Sequence, residues 1–140
     1  MNRSVATKMG IREGSRAYFD HVPRSVLQAI DLPDLEVSDD LRGEFDYVHC
    51  FCVTQAEMTE RFPKLKRHLK STGALWLSWP KGKKLDSDLS LPKVIEIGYS
   101  HGLVESTALR VDDTWSGIKF TYPKEGKVYR NKYGKLPDTR

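Results

Sequence analysis

The chain has 140 residues, 39% hydrophobic and 30% charged, with five Phe, six Tyr and three Trp. That supplies apolar and aromatic material for one packed core without disulfides and argues against disorder, while no run approaches the roughly 18 consecutive apolar residues of a membrane helix and residues 1–14 lack the apolar block of a secretory signal. The formal charge of +4 is uneven, because residues 118–140 hold seven Lys or Arg against Glu125 and Asp138, a net of +5, leaving −1 elsewhere; this weakens any general surface attraction for nucleic acid.

Residues 10–14, with Gly10 and Gly14, form a turn before a short apolar run at 17–19, which predicts a first strand. Asp20-His21-Val22-Pro23 follows directly. Pro23 suits the first turn of a helix, and Val26, Leu27 and Ile30 give it an apolar face that Leu32-Pro33 closes. Residues 31–45 are rich in Asp, Glu, Ser and Gly and read as a loop, with at most an edge element at 35–37.

The nearly unbroken apolar run at 47–53 predicts a strand covered on both faces, as in parallel α/β sheets. Thr54-Gln55-Ala56-Glu57 is a capping box that starts a helix. Met58, Phe62, Leu65 and Leu69 continue one face, Pro63 should kink or split it, and Gly73 is its natural stop. Residues 74–79 form another buried strand that Pro80 ends. A loop at 81–88 carries Lys81, Lys83 and Lys84, and a helix over 91–100 follows, with Pro92 in its first turn and Gly102 as its stop. Two last strands, at 103–111 and 118–122, are joined by a hairpin turn, Asp112-Asp113-Thr114-Trp115-Ser116-Gly117.

This order predicts an α/β, Rossmann-like domain: a mostly parallel sheet with helices on both faces and an antiparallel C-terminal hairpin strand. Residues 1–123 make one domain. Residues 124–140 are a basic tail without periodicity, either a flexible extension or a segment docked late.

Phe45-Asp46-Tyr47-Val48, the segment Ser71-Thr72-Gly73-Ala74-Leu75-Trp76-Leu77-Ser78-Trp79-Pro80-Lys81, and Asp112-Asp113-Thr114-Trp115-Ser116-Gly117 resemble the bacterial proteins grouped as domain-of-unknown-function family 3052, over residues 9–121. More remotely, the second half is similar to the later strands of class I methyltransferases. That resemblance implies a glycine-rich turn after the first strand, where an adenosyl cofactor meets the backbone, and an acidic residue ending the second strand for its ribose. Here Asp20-His21-Val22-Pro23 replaces the glycines, the next glycine is Gly43, and no second strand presents a carboxylate. No cofactor is therefore expected in the usual manner.

Ligands of open α/β sheets collect at the carboxyl ends of the strands. The layout brings Asp20, His21, Thr54, Lys81, Asp112, Asp113, Trp115 and Ser116 to that edge, a crevice suited to a small anionic or planar ligand. Each has a plainer role as well: the lysines as a solvated loop, Trp115 as hairpin packing, the Asp pair as turn formers, since adjacent residues point apart. Cys50 and Cys52 face the same way in mid-strand, too close for an unstrained bridge and without the paired turns of a zinc site; they read as buried packing, and a reducing, cytoplasmic compartment fits. His21 has no Ser or Cys partner for a triad, and His68 and His101 read as helix-surface residues.

The function expected first is a non-catalytic module binding a small anionic ligand or a protein partner. The alternatives are a divergent methyltransferase-like enzyme using His21 or a hairpin Asp, and a nucleic-acid accessory protein acting through the tail, whose Tyr122, Tyr129 and Tyr133 alternate with basic residues. No membrane partner is expected.

Overall fold

The computed structural model describes residues 5–137, so Asp138 and Arg140 of the tail lie outside the described residues. The elements are α1 (Val5–Met9), β1 (Arg16–Asp20), α2 (Arg24–Ala29), β2 (Glu36–Val37), β3 (Phe45–Phe51), α3 (Gln55–Lys66), β4 (Leu69–Pro80), α4 (Leu91–Ser100), β5 (Val104–Arg110) and β6 (Trp115–Thr121). They build one six-stranded sheet in the order β2-β1-β3-β4-β6-β5. β2, β1, β3 and β4 run parallel, and β6 lies antiparallel between β4 and β5. The fold is thus Rossmann-like α/β with an antiparallel C-terminal pair.

Strand alternation sorts the side chains into two layers. On one face Val48, Cys50 and Cys52 of the β3 region and Leu75, Leu77 and Trp79 of β4 pack under Met58, Phe62 and Leu65 of α3 and Val94, Ile95 and Tyr99 of α4. On the other, Tyr47, Phe51, Trp76 and Trp115 share a cluster with Ala6 and Met9 of α1, Val26 of α2 and Ile30 at its end. Both faces of β3 are covered, which is why its sequence reads as a continuous apolar run.

The structure corrects several boundaries. Leu69 and Gly73, expected as the last helical position and the helix stop, both lie in β4. α3 ends at Lys66 because the chain leaves to pair Leu69 with Phe45, and an irregularity in the β3–β4 pairing follows between Phe45 and Tyr47. Gly73 sits where β3 passes close: a Cβ there would stand 2.9 Å from the Phe45 carbonyl oxygen. Pro63 lies inside a single helix, which it does not split. Trp115, Ser116 and Gly117 belong to β6 rather than to the turn, pairing with Pro80, Trp79 and Ser78. The brief run before Ser38 does form an edge strand, β2, parallel to β1.

Past β6 the chain returns over the α4 layer. Asn131 Nδ2 and the Tyr99 hydroxyl both donate to Glu105 Oε1 at 3.0 Å, and Gly134 lies against the Tyr99 ring, where a Cβ would come within 2.7 Å. Burial first, then the Glu105 carboxylate, push the Tyr99 phenol up to about 12. Tyr129 and Leu136 pack on the core from the same segment.

Candidate functional site

The carboxyl ends of β1, β3 and β4 and the β5–β6 turn emerge on one edge, as parallel strands require. Two groups of the residues singled out from sequence assemble there. Asp20 and His21 form the first, around the end of β1; Lys81, Asp112, Asp113, Trp115 and Ser116 form the second, over the end of β4.

In the first group, Asp20 closes β1 and its carboxylate is largely covered, 13% exposed. Oδ2 accepts from the Cys50 thiol at 3.3 Å and stands 3.9 Å from an Arg61 guanidinium nitrogen, while Oδ1 is 3.1 Å from Nδ1 of His21. His21 is in the left-handed region, φ 59, a conformation that glycine adopts at little cost and other residues seldom take. Its imidazole points outward, 61% exposed. Cys50 and Cys52 lie side by side with sulfurs 3.3 Å apart. Hydrogen bonding to Cys52, then burial and the neighbouring Asp20 charge, push the Cys50 thiol well above its usual range, which favours the protonated form. Among the described residues no group of three or more His, Cys, Asp or Glu could hold a metal ion.

Thr54 is the N-cap of α3 and is spent there. Its hydroxyl accepts from the Glu57 N–H at 3.1 Å, and Glu57 Oε1 accepts from the Val53 and Thr54 N–H groups at 2.7 and 3.0 Å, completing the capping box. Burial works against charge on Glu57, but those two backbone donors and Arg61 outweigh it and hold the carboxyl below the usual range. Replacing Thr54 with Ala should cost about 1 kcal/mol by urea unfolding at neutral pH, with the midpoint shifting at constant slope. The next free amide of the helix, Gln55 N–H, is taken by Asp88 Oδ1 at 2.7 Å. The Thr54, Gln55 and Glu57 amides at the N-terminus of α3 are thus all taken from within the chain.

The second group is similarly satisfied from within. Asp112 Oδ1 accepts from the Thr114 and Trp115 N–H groups at 2.9 and 2.7 Å, a turn-forming role. Asp113 pairs with Arg110 at 2.7 Å on the surface. Lys81 and Lys84 donate to the backbone oxygens of Asp112 and Asp113 at 3.2 and 2.9 Å. Trp115, 7% exposed, packs edge-on against Phe51, and Ser116 pairs with Trp79. The loop that carries the lysines holds left-handed backbone at Lys83, Leu85 and Asp86 as well as at Gly82, the densest cluster of strained φ values among the described residues.

Two clefts stay open at this edge: one of about 280 Å³ beside Trp79, Arg110 and Ser116, and one of about 240 Å³ between the β1 turn and α3, lined by Tyr18, Asp20, His21, Leu41, Glu60, Arg61, Lys64 and Leu65. Arg61 and Lys64 were not foreseen from sequence. Their i,i+4 partners Glu57 and Glu60, at 3.0 and 3.7 Å, mark them only as charge pairs on a helix face. Nor were Asp39 and Asp40, which follow β2 after Ser38 and put carboxylates beyond its end. Of the remaining histidines, His68 lies just past α3, with Nδ1 2.8 Å from the Gly43 carbonyl oxygen, and His101 caps the end of α4.

No family model matches the chain, and no curated protein does. Among solved structures it is similar to a ribosomal protein L11 methylase from Lactobacillus delbrueckii subsp. bulgaricus, at 12% identity over 86% of this chain and 76% of that one, with a TM-score of 0.56. It is also similar to a precorrin-6y C5,15-methyltransferase from Geobacter metallireducens, at 12% identity over 84% and 85% of the two chains, TM-score 0.55. A third is the magnesium protoporphyrin IX methyltransferase of Synechocystis with bound SAH, at 14% identity over 84% and 78%, TM-score 0.53. At such identities the likeness establishes a methyltransferase-like fold and nothing about chemistry.

Proposed function

We propose that the chain is a divergent methyltransferase-like domain that acts by binding a small anionic ligand, and not by methyl transfer, in the carboxyl-edge cleft beside His21, Arg61 and Lys64. The observation that carries this reading is the state of the turn after β1. An adenosyl group needs bare backbone there, but the left-handed position bears the His21 side chain, and the Asp20 carboxylate below it is fastened to Cys50 and Arg61. The residues present therefore do not fit S-adenosylmethionine in the glycine-lined manner. Likeness to family 3052 and a cytoplasmic setting belong to the same proposal; no helix of the described residues is long and apolar enough to cross a membrane.

A second reading, a divergent methyltransferase, has two observations in its favour: the fold neighbours, and Asp39 and Asp40 just past β2, where a ribose-holding carboxylate would stand. Nucleic-acid contact through the tail has less support, since Lys127 and Lys132 lie over the Tyr129 and Tyr133 rings that would stack on bases.

Calorimetric titration and thermal shift separate the first two. A ligand at a hundred times its Kd stabilises by about 2.7 kcal/mol, readily seen in Tm. The binding reading expects no response to millimolar S-adenosylmethionine or S-adenosylhomocysteine, and a response to small phosphorylated or carboxylated compounds that His21→Ala with Lys64→Met abolishes. A cofactor-induced rise in Tm that Asp39→Asn with Asp40→Asn removes would replace it with the enzyme.

A further inference from the structure

We propose that the opposite, amino edge of the sheet carries a separate binding site for a small phosphate-bearing molecule. A cleft of about 390 Å³ opens there, on the face that α1 shares, between the turn after α1 and the starts of β3 and β4. Its walls include Gly10, Arg12 and Ser15 from that turn, with Tyr47, Trp76 and Lys119 from the sheet.

The buried wall is unfinished. Trp76 is 1% exposed, and its indole N–H has no hydrogen-bond partner among the described residues. Buried donors nearly always have an acceptor, and this one lacks it in a side chain that borders the cleft. Trp76 and Lys119 are directly paired across β4 and β6, and their side chains therefore rise from the same face.

Charge points the same way. Neither Lys119 nor Arg12 has an ion-pair partner among the described residues. The carboxylate in the cleft, Asp46, is already engaged by Lys70 at 3.0 Å and by the Arg16 N–H at 2.9 Å. Two unpaired cations at one cleft supply the charge for an oxyanion, which Arg suits by its forked donors and Lys by its point charge. Gly10 is left-handed, φ 75, and Lys119 Nζ is 3.8 Å from where its Cβ would be, so the lysine lies against bare backbone at the mouth. The volume leaves room for an organic body behind the phosphate.

The indole N–H signals of the full-length, ¹⁵N-labelled protein read this directly, because the chain has three Trp and only Trp76 lines the cleft. Inorganic phosphate and pyrophosphate are titrated at constant ionic strength against chloride, with the signals assigned by triple resonance so that no Trp variant is required. The Trp76 signal should move saturably while those of Trp79 and Trp115 stay. Lys119→Met and, separately, Arg12→Gln should each weaken the apparent affinity by about tenfold or more, a loss of 1.4 kcal/mol per decade. Lys93→Met, on the far layer, should leave it unchanged. An unmoved Trp76 signal, equal movement of all three, or unaltered affinity in a folded Lys119→Met would each overturn the site.

Discussion

Alanine at Gly98 is expected to destabilise the protein by roughly 2–3 kcal/mol, although the same change on an exposed helix stabilises by about 1 kcal/mol. Gly98 lies in the last turn of α4, where the helix presses onto β6, and a Cβ there would overlap the Phe120 ring. That ring cannot swing aside. Phe120 is fully buried and held edge-on by Phe62 of α3, centroids 5.2 Å apart, so making room means moving two helices relative to the sheet. Overpacking of this kind costs more than helix propensity returns. Urea unfolding of Gly98→Ala checks the sign, and a double-mutant cycle with Phe120→Leu checks the cause: the alanine should cost much less when the ring has gone. A Gly98→Ala protein as stable as the parent would mean that α4 does not seat on β6 this closely.

The second large effect is a loss of stability in mild acid that centres on His49. This side chain is fully buried between the Tyr47 hydroxyl, 2.6 Å from Nδ1, and the Ser78 hydroxyl, 2.7 Å from Nε2, and stacks on Phe51 at 4.2 Å. One ring nitrogen donates and the other accepts, so the neutral imidazole satisfies both hydroxyls at once. Burial pulls its pKa from 6.5 down to about 3. Below about pH 6.5 the unfolded chain takes up a proton that the folded one refuses. The stability due to keeping His49 neutral is therefore complete above that pH and drains away as pH falls toward 3, in total on the order of 4 kcal/mol. The lowered carboxyls of Glu57 and Asp46 add their own loss only further down, as pH falls through the carboxylate range. The window between about pH 5 and 6.5 thus isolates the histidine. His49→Gln, which can still donate and accept, should be less stable at pH 7 by about 1–3 kcal/mol but nearly flat across that window. An equally steep fall in the variant would assign the acid sensitivity elsewhere.

Local patterns carried much of the architecture into the sequence. The capping box at Thr54 and the two-faced apolar run of β3 each depend on residues a few positions apart, and both are read correctly without the fold. Failures came where a distant partner decides. Nothing near Leu69 says that it leaves a helix periodicity to pair with Phe45, and Trp115 resembles a turn residue until Pro80 is placed opposite. α1, at five residues, is too short for any period to register. The candidate residues of the carboxyl edge were gathered by topology alone, and topology could not tell that Thr54, Asp112 and Lys81 bond their own neighbours. The amino-edge cleft was invisible for the same reason: Trp76 and Lys119 meet only through sheet register and Gly10 only through the packing of α1, and the Tyr47-His49-Ser78 chain needs a partner 29 positions away.

Placement of β6 between β4 and β5 has a consequence for synthesis. As the chain leaves the ribosome, β4 has a parallel neighbour on one side and a bare row of amides and carbonyls on the other until residues 115–121 appear. The apolar side chains that α4 covers are incomplete for the same interval, since Ile118 and Phe120 arrive last. The nascent protein must therefore wait, partly collapsed and with an open strand edge, for residues 115–121 before the cooperative state exists. A chain stalled or cut between residues 101 and 114 should be a client of chaperones or proteases and not a smaller version of the same fold.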